Sequence, residues 1–63
     1  MVMKVKAAID LLEADGWYLH STKGSHRQFK HPTKPGRVTV PGKLSADLPA
    51  GTVASIFRQA GLK

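Results

Sequence analysis

The stretch Thr22-Lys23-Gly24-Ser25-His26-Arg27-Gln28-Phe29-Lys30-His31 places a histidine two residues past a glycine and among cations. An imidazole has an ordinary pKa of about 6.5 and so exchanges protons near neutral pH. Lys23, Arg27 and Lys30 supply charge that draws an anion such as a phosphodiester toward His26. These residue types suit RNA cleavage, in which a 2′-hydroxyl attacks the adjacent phosphate and needs a base, an acid and positive charge on the phosphate oxygens. His26 can act as base or acid. Lys23, Arg27 and Lys30 are candidates for phosphate, and Ser25 and Gln28 for hydrogen bonds to ribose or base. The scheme needs no metal and no other cofactor. The alternative reading of His26 is a surface histidine with no chemical role.

Other constellations give less. His20, His26 and His31 have no cysteine partners and no His-x-x-x-His spacing, so no zinc site is expected. Trp17 and Tyr18 are able to stack on bases, but beside a helix-ending glycine both read as core. There is no phosphate-cradling glycine loop, nucleophile elbow or pair of carboxylates. Asp10, Glu13, Asp15 and Asp47 are scattered and read as helix surface and loop.

The elements that must position His26 follow from periodicity. Between Met3 and Asp15, Val5, Ala8, Ile9 and Leu12 recur at helical spacing. Gly16 closes this first helix, with Trp17 placed for the Schellman contact back to Leu12. No Ser, Thr, Asp or Asn precedes Val5, so the start lacks a side-chain cap and is expected to fray. Trp17 to Thr22 reads as a strand with Trp17, Leu19 and Ser21 on one face. Lys23-Gly24 turns the chain into a second strand, Ser25 to His31. There Ser25, Arg27, Phe29 and His31 alternate with His26, Gln28 and Lys30, so an inward Phe29 sends His26 outward. The same register puts Arg27 on the packed side, unless it snorkels to water or a bulge after Gly24 shifts the pairing.

Lys34-Pro35-Gly36-Arg37 carries the type II turn pattern and leads into a third strand, Arg37 to Val40, with Val38 and Val40 inward. Pro41-Gly42 stops it. Lys43 to Leu48 is read as a loop anchored by Leu44 and Leu48, and Pro49 as first-turn residue of a second helix. Val53, Ile56, Phe57 and Ala60 form that helix's apolar face, and Gly61-Leu62 repeats the earlier ending, with Leu62 reaching Phe57. The expected fold is α+β, ordered α-β-β-β-α: a three-stranded antiparallel sheet with two helices on one face.

Length and composition fit one domain spanning 1–63. A chain of 63 residues buries only about 60% of its unfolded surface. Without cysteine, it must be held by packing alone. Its formal net charge of +6 favours polyanions or an acidic protein partner. No apolar run approaches the roughly 20 residues of a membrane span, and Met1-Val2-Met3-Lys4 does not begin a signal peptide. A soluble, cytoplasmic protein without membrane contact is expected.

Leu11-Leu12-Glu13-Ala14-Asp15-Gly16-Trp17, Lys23-Gly24-Ser25-His26-Arg27-Gln28-Phe29, His31-Pro32 and Val38-Thr39-Val40-Pro41 together resemble the HicA toxin family. Pro49-Ala50-Gly51-Thr52 and Ile56, Gln59, Ala60, Gly61 and Leu62 extend the resemblance almost to the end. It implies the toxin of a toxin-antitoxin system, an mRNA interferase with a double-stranded-RNA-binding-like fold, inhibited by a HicB-like antitoxin. The family's catalytic histidine carries over onto His26. Where many members have a histidine just after the third strand, this chain has Pro41-Gly42-Lys43. A non-catalytic RNA-binding module of the same fold is the competing reading, and a basic face that docks an acidic protein is compatible with either.

Overall fold

Val5, Ala8, Ile9 and Leu12, spaced to share one face, form the buried stripe of α1 (Val5–Ala14) in the computed structural model, which describes residues 2–62. Met1 and Lys63, the ends of the expected domain, lie outside the described residues. The order is β1 (Met3–Lys4), α1, β2 (Tyr18–Lys23), β3 (His26–Lys30), β4 (Val38–Val40), β5 (Asp47–Leu48) and α2 (Ala50–Gln59). Strands β2, β3 and β4 make an antiparallel sheet in that order. Phe29, Val38 and Val40 meet the apolar faces of both helices, together with Trp17, Leu48, Val53, Ile56 and Ala60, in one core. The α+β architecture expected from the sequence is therefore present, with the helices against one sheet face.

Two short strands were not foreseen. β1 pairs with β5 in a separate two-stranded ribbon, Met3 opposite Leu48 and Lys4 opposite Asp47. The ribbon explains why the start of α1 does without a side-chain cap. Its first N–H groups, on Val5 and Lys6, donate to the carbonyls of Ala46 (2.9 Å) and Leu44 (3.2 Å). The expected fraying is replaced by capping from a loop some forty residues away. Leu44 anchors that loop through its carbonyl and not, as expected, through its side chain, which is 48% exposed. Leu48 is buried as expected. Pro49 stands one residue outside α2, as its N-cap.

Both helices end in Schellman motifs. Gly16 (φ +100°) donates to Glu13 O and Trp17 to Leu12 O; Gly61 donates to Arg58 O and Leu62 to Phe57 O. Gly16 has a second constraint, since a Cβ there would lie 2.7 Å from His31 Nε2. That imidazole belongs to a knot at the C-terminal ends of the helices. His31 Nδ1 accepts from the N–H groups of Thr33 and Lys34, which leaves the ring proton on Nε2, donated to Asp15 O at 2.7 Å. Trp17 stacks edge-on against the ring and donates its indole N–H to Asp15 Oδ2. Lys34 Nζ donates to Asp15 Oδ2 and to Ala60 O, so one ammonium serves the negative ends of both helices. Asp15, expected as plain surface, is half-buried in this knot.

The Lys34 hydrogen bond is the main cause that holds the Asp15 carboxyl below its ordinary value of 3.8; desolvation opposes it, and the Lys34 charge and the Trp17 N–H assist. A carboxylate lowered in the folded state contributes stability that is complete above its unfolded pKa and lost as pH falls through the folded value. Thermal unfolding should therefore show Tm dropping as pH falls below about 4. Asp15→Asn should give a lower Tm at neutral pH and a shallower acid decline. Parallel curves for the two proteins would contradict this linkage.

Candidate active site

Burial of Phe29 orients the face that carries His26. In β3 the residues alternate, and Phe29 (1% exposed) and Arg27 point to the helix side, opposite Val38 and Val40. His26, Gln28 and Lys30 therefore point away from the helices. The sequence allowed for a bulge after Gly24, but β3 is unbroken, and the irregularity lies in β2 between Leu19 and Ser21. This bulge at His20 separates residues expected on one face. Leu19 lies opposite Phe29 on the helix side, half-exposed because β2 is the sheet edge, whereas Ser21 lies opposite Gln28 on the outer side.

The outer face is thus a ladder of polar and cationic rungs. Lys23 is directly opposite His26 beside the two-residue turn Gly24-Ser25, where Gly24 takes φ +57°. Ser21 is opposite Gln28, with Thr39 on Gln28's other side, and Tyr18 is opposite Lys30 at the far end. Arg37 Nη1 donates to Gln28 Oε1 at 3.0 Å, adding a cation that the sequence reading did not include. Trp17 is core as expected, but Tyr18 is not. It is 49% exposed on this outer face, because strand alternation turns it away when Trp17 is buried.

Ser25 and Arg27 belong to a different surface. Arg27 Nη1 donates to Gly42 O at 2.8 Å, and this single bond leaves its other donors available. Gly24, Ser25, Arg27, Lys43, Leu44 and Ser45 line an open groove of about 530 Å³ just around the hairpin tip from His26. Lys43 enters here from the segment after β4. It carries no periodic signal, so only the close approach of the β2–β3 turn to that segment makes it part of the site. The expected site residues therefore split into an outer face with Lys23, His26, Gln28 and Lys30, and a groove with Ser25 and Arg27.

The charge distribution favours an anion on both surfaces. Among the described residues, ion pairs occupy Lys4 with Asp47, Lys6 with Asp10 and Lys34 with Asp15. Lys23, Arg27, Lys30, Arg37 and Lys43, on the sheet or its adjoining loops, and Arg58 on α2 remain without a carboxylate partner among these residues. The exposed His26 ring makes no side-chain hydrogen bond among the described residues, which leaves both nitrogens open to a ligand. Among the described residues no group of three or more His, Cys, Asp or Glu side chains is placed to hold a metal. A larger apolar groove along α2, lined by Val53, Phe57 and Leu62, contains none of the expected site residues.

The family model described as HicA toxin of bacterial toxin-antitoxin matches residues 5–62, nearly the whole chain. No curated protein matches the sequence.

The two histidines on either side of β3's length should separate by stability. His31→Ala strips the partner from Asp15 O and empties the space beside Trp17, and should cost about 1–3 kcal/mol. His26→Ala, at an exposed position without partners, should stay within about 0.5 kcal/mol of the parent. Urea unfolding of both variants measures the difference, and comparable losses would contradict these placements.

Proposed function

We propose, from the premise that this chain belongs to the HicA family of toxins of bacterial toxin-antitoxin systems, that it is a metal-independent endoribonuclease that cleaves mRNA in the cytoplasm with His26 as its proton-transfer residue. The observation that supports this best is an exposed imidazole directly opposite Lys23, at the end of a cationic face without carboxylates. Family membership gives the chain an antitoxin partner; we take that partner to be a HicB-like protein that covers His26.

The chemistry needs few groups. A neutral His26 nitrogen takes the proton of a 2′-hydroxyl, and the 2′-oxygen attacks the adjoining phosphorus. The bond to the 5′-oxygen breaks, that oxygen takes a proton from water, and the His26 imidazolium returns its proton to the hydroxide so formed. The products are a 2′,3′-cyclic phosphate and a 5′-hydroxyl. Directly opposite residues in an antiparallel pair have Cβ atoms about 4.5–5.5 Å apart, so the Lys23 ammonium can reach a non-bridging oxygen of the phosphate beside His26. Lys30 and Arg37 attract the strand farther along the outer face, and Arg27 and Lys43 form a phosphate-binding groove where it rounds the hairpin tip.

One observation favours the second reading, a non-catalytic RNA-binding module: among the described residues no side chain is hydrogen-bonded to the His26 ring, as a third group commonly is to a catalytic base. Cleavage of RNA by purified protein in the presence of EDTA decides between them. His26→Ala should lower the cleavage rate about 10²- to 10⁴-fold while RNA binding persists. Intact RNA after prolonged incubation with the parent protein would leave only the binding module.

Lys43→Ala provides an independent measurement. Loss of one phosphate contact should reduce the slope of log affinity against log salt by about 1, with similar weakening on unrelated RNA sequences. An unchanged slope would remove the groove from the RNA path.

A further inference from the structure

Tyr18 stands out on the outer face. The chain has four aromatic residues of the Phe, Trp and Tyr types. Trp17 and Phe29 are buried and Phe57 packs against the core, whereas Tyr18 leaves half its surface in water. Its phenol makes no side-chain hydrogen bond among the described residues, and its ring lies outside the hydrophobic core. It lies across the rung from Lys30, on the same face as His26 and Lys23. Lys30 is four residue steps along the strand from His26, about 13 Å at roughly 3.3 Å per residue. Between them lie Gln28, whose amide is oriented by Arg37, and Ser21 and Thr39.

We infer that Tyr18 is a base-stacking platform, and that the RNA lying between it and His26 is single-stranded. The inference rests on the RNA reading of His26 and deepens it. An aromatic ring can take the face of a base only where that base is unpaired and splayed out. In an A-form duplex the bases are closed in the stack, and a protein meets 2′-hydroxyls and phosphates instead. A ring opposite Lys30, with hydrogen-bonding side chains and Arg37 between it and the proton-transfer residue, matches the surfaces that hold single strands. The free charge on this face, Lys23, Lys30 and Arg37, complements a polyanion. The hydroxyl of Tyr18 has no necessary part, since stacking uses the ring.

The experiment compares the full-length parent with Tyr18→Leu, Tyr18→Phe and Tyr18→Trp, after thermal unfolding has verified that each folds. Probes are a short 2′-O-methyl oligoribonucleotide of mixed sequence, which has no 2′-proton to lose and is not cut, its abasic counterpart, and the corresponding duplex. The single strand should bind the parent more tightly than the duplex does. Tyr18→Leu should weaken single-strand binding about 5- to 150-fold and leave abasic binding within about twofold. Tyr18→Phe and Tyr18→Trp should retain parental affinity.

Equal losses on the based and abasic strands, or a Phe variant as weak as the Leu variant, would overturn the platform. So would a Leu variant that binds single strands normally, including one that has lost only its antitoxin. A parent protein with no affinity for any of these probes would overturn the RNA reading itself, and the platform with it.

Discussion

Everything on the functional face depends on which way Phe29 points. A strand's side chains alternate, so a slip of one residue would exchange the two faces of β3 and bury His26 among aliphatic groups. Phe29 is among the largest fully buried side chains, and it meets Val38 across the sheet and the helices below. Removing a phenylalanine from a core costs about 3–5 kcal/mol, a large part of what so short a chain has to lose. The chemistry of the outer face is thereby fixed by a residue that does not touch it.

A second constraint acts at the other end of β3. Asp15, Trp17, His31 and Lys34 tie the C-terminal ends of α1 and α2 to the segment leaving the sheet. The knot absorbs one of the four carboxylates, and ion pairs on Lys4 and Lys6 absorb two more. Among the described residues, five of the six cations left without a carboxylate lie on the sheet and its loops, and the sixth, Arg58, lies on α2. A small basic protein so arranged has its positive surface set as much by where its acids are consumed as by where its bases lie.

His26 and His31 lie five residues apart and have opposite natures. His31 accepts at one nitrogen, donates at the other and packs against an indole, so its orientation and proton are fixed by structure. His26 has none of these attachments among the described residues and faces solvent beside a lysine. The same side chain is a fastening at one end of the strand and an exposed ring at the other.

Local pattern carried much of this protein. The buried stripes of both helices, the glycine endings at Gly16 and Gly61, the hairpin, and the outward His26 all follow from spacings of a few residues, because helix and strand periodicities act over that range. Contacts between distant segments decided the rest. The loop carbonyls that cap α1, the β1–β5 ribbon, the groove joining Arg27 to Lys43 and the Asp15 knot each bring together groups far apart in the chain. The half-exposure of Leu19 belongs with them, since it depends on β2 lying at the sheet edge, and so does the separation of Ser21 from Leu19's face by the bulge at His20. A sequence states which side chains alternate; only the assembled fold determines which of those faces a neighbour covers.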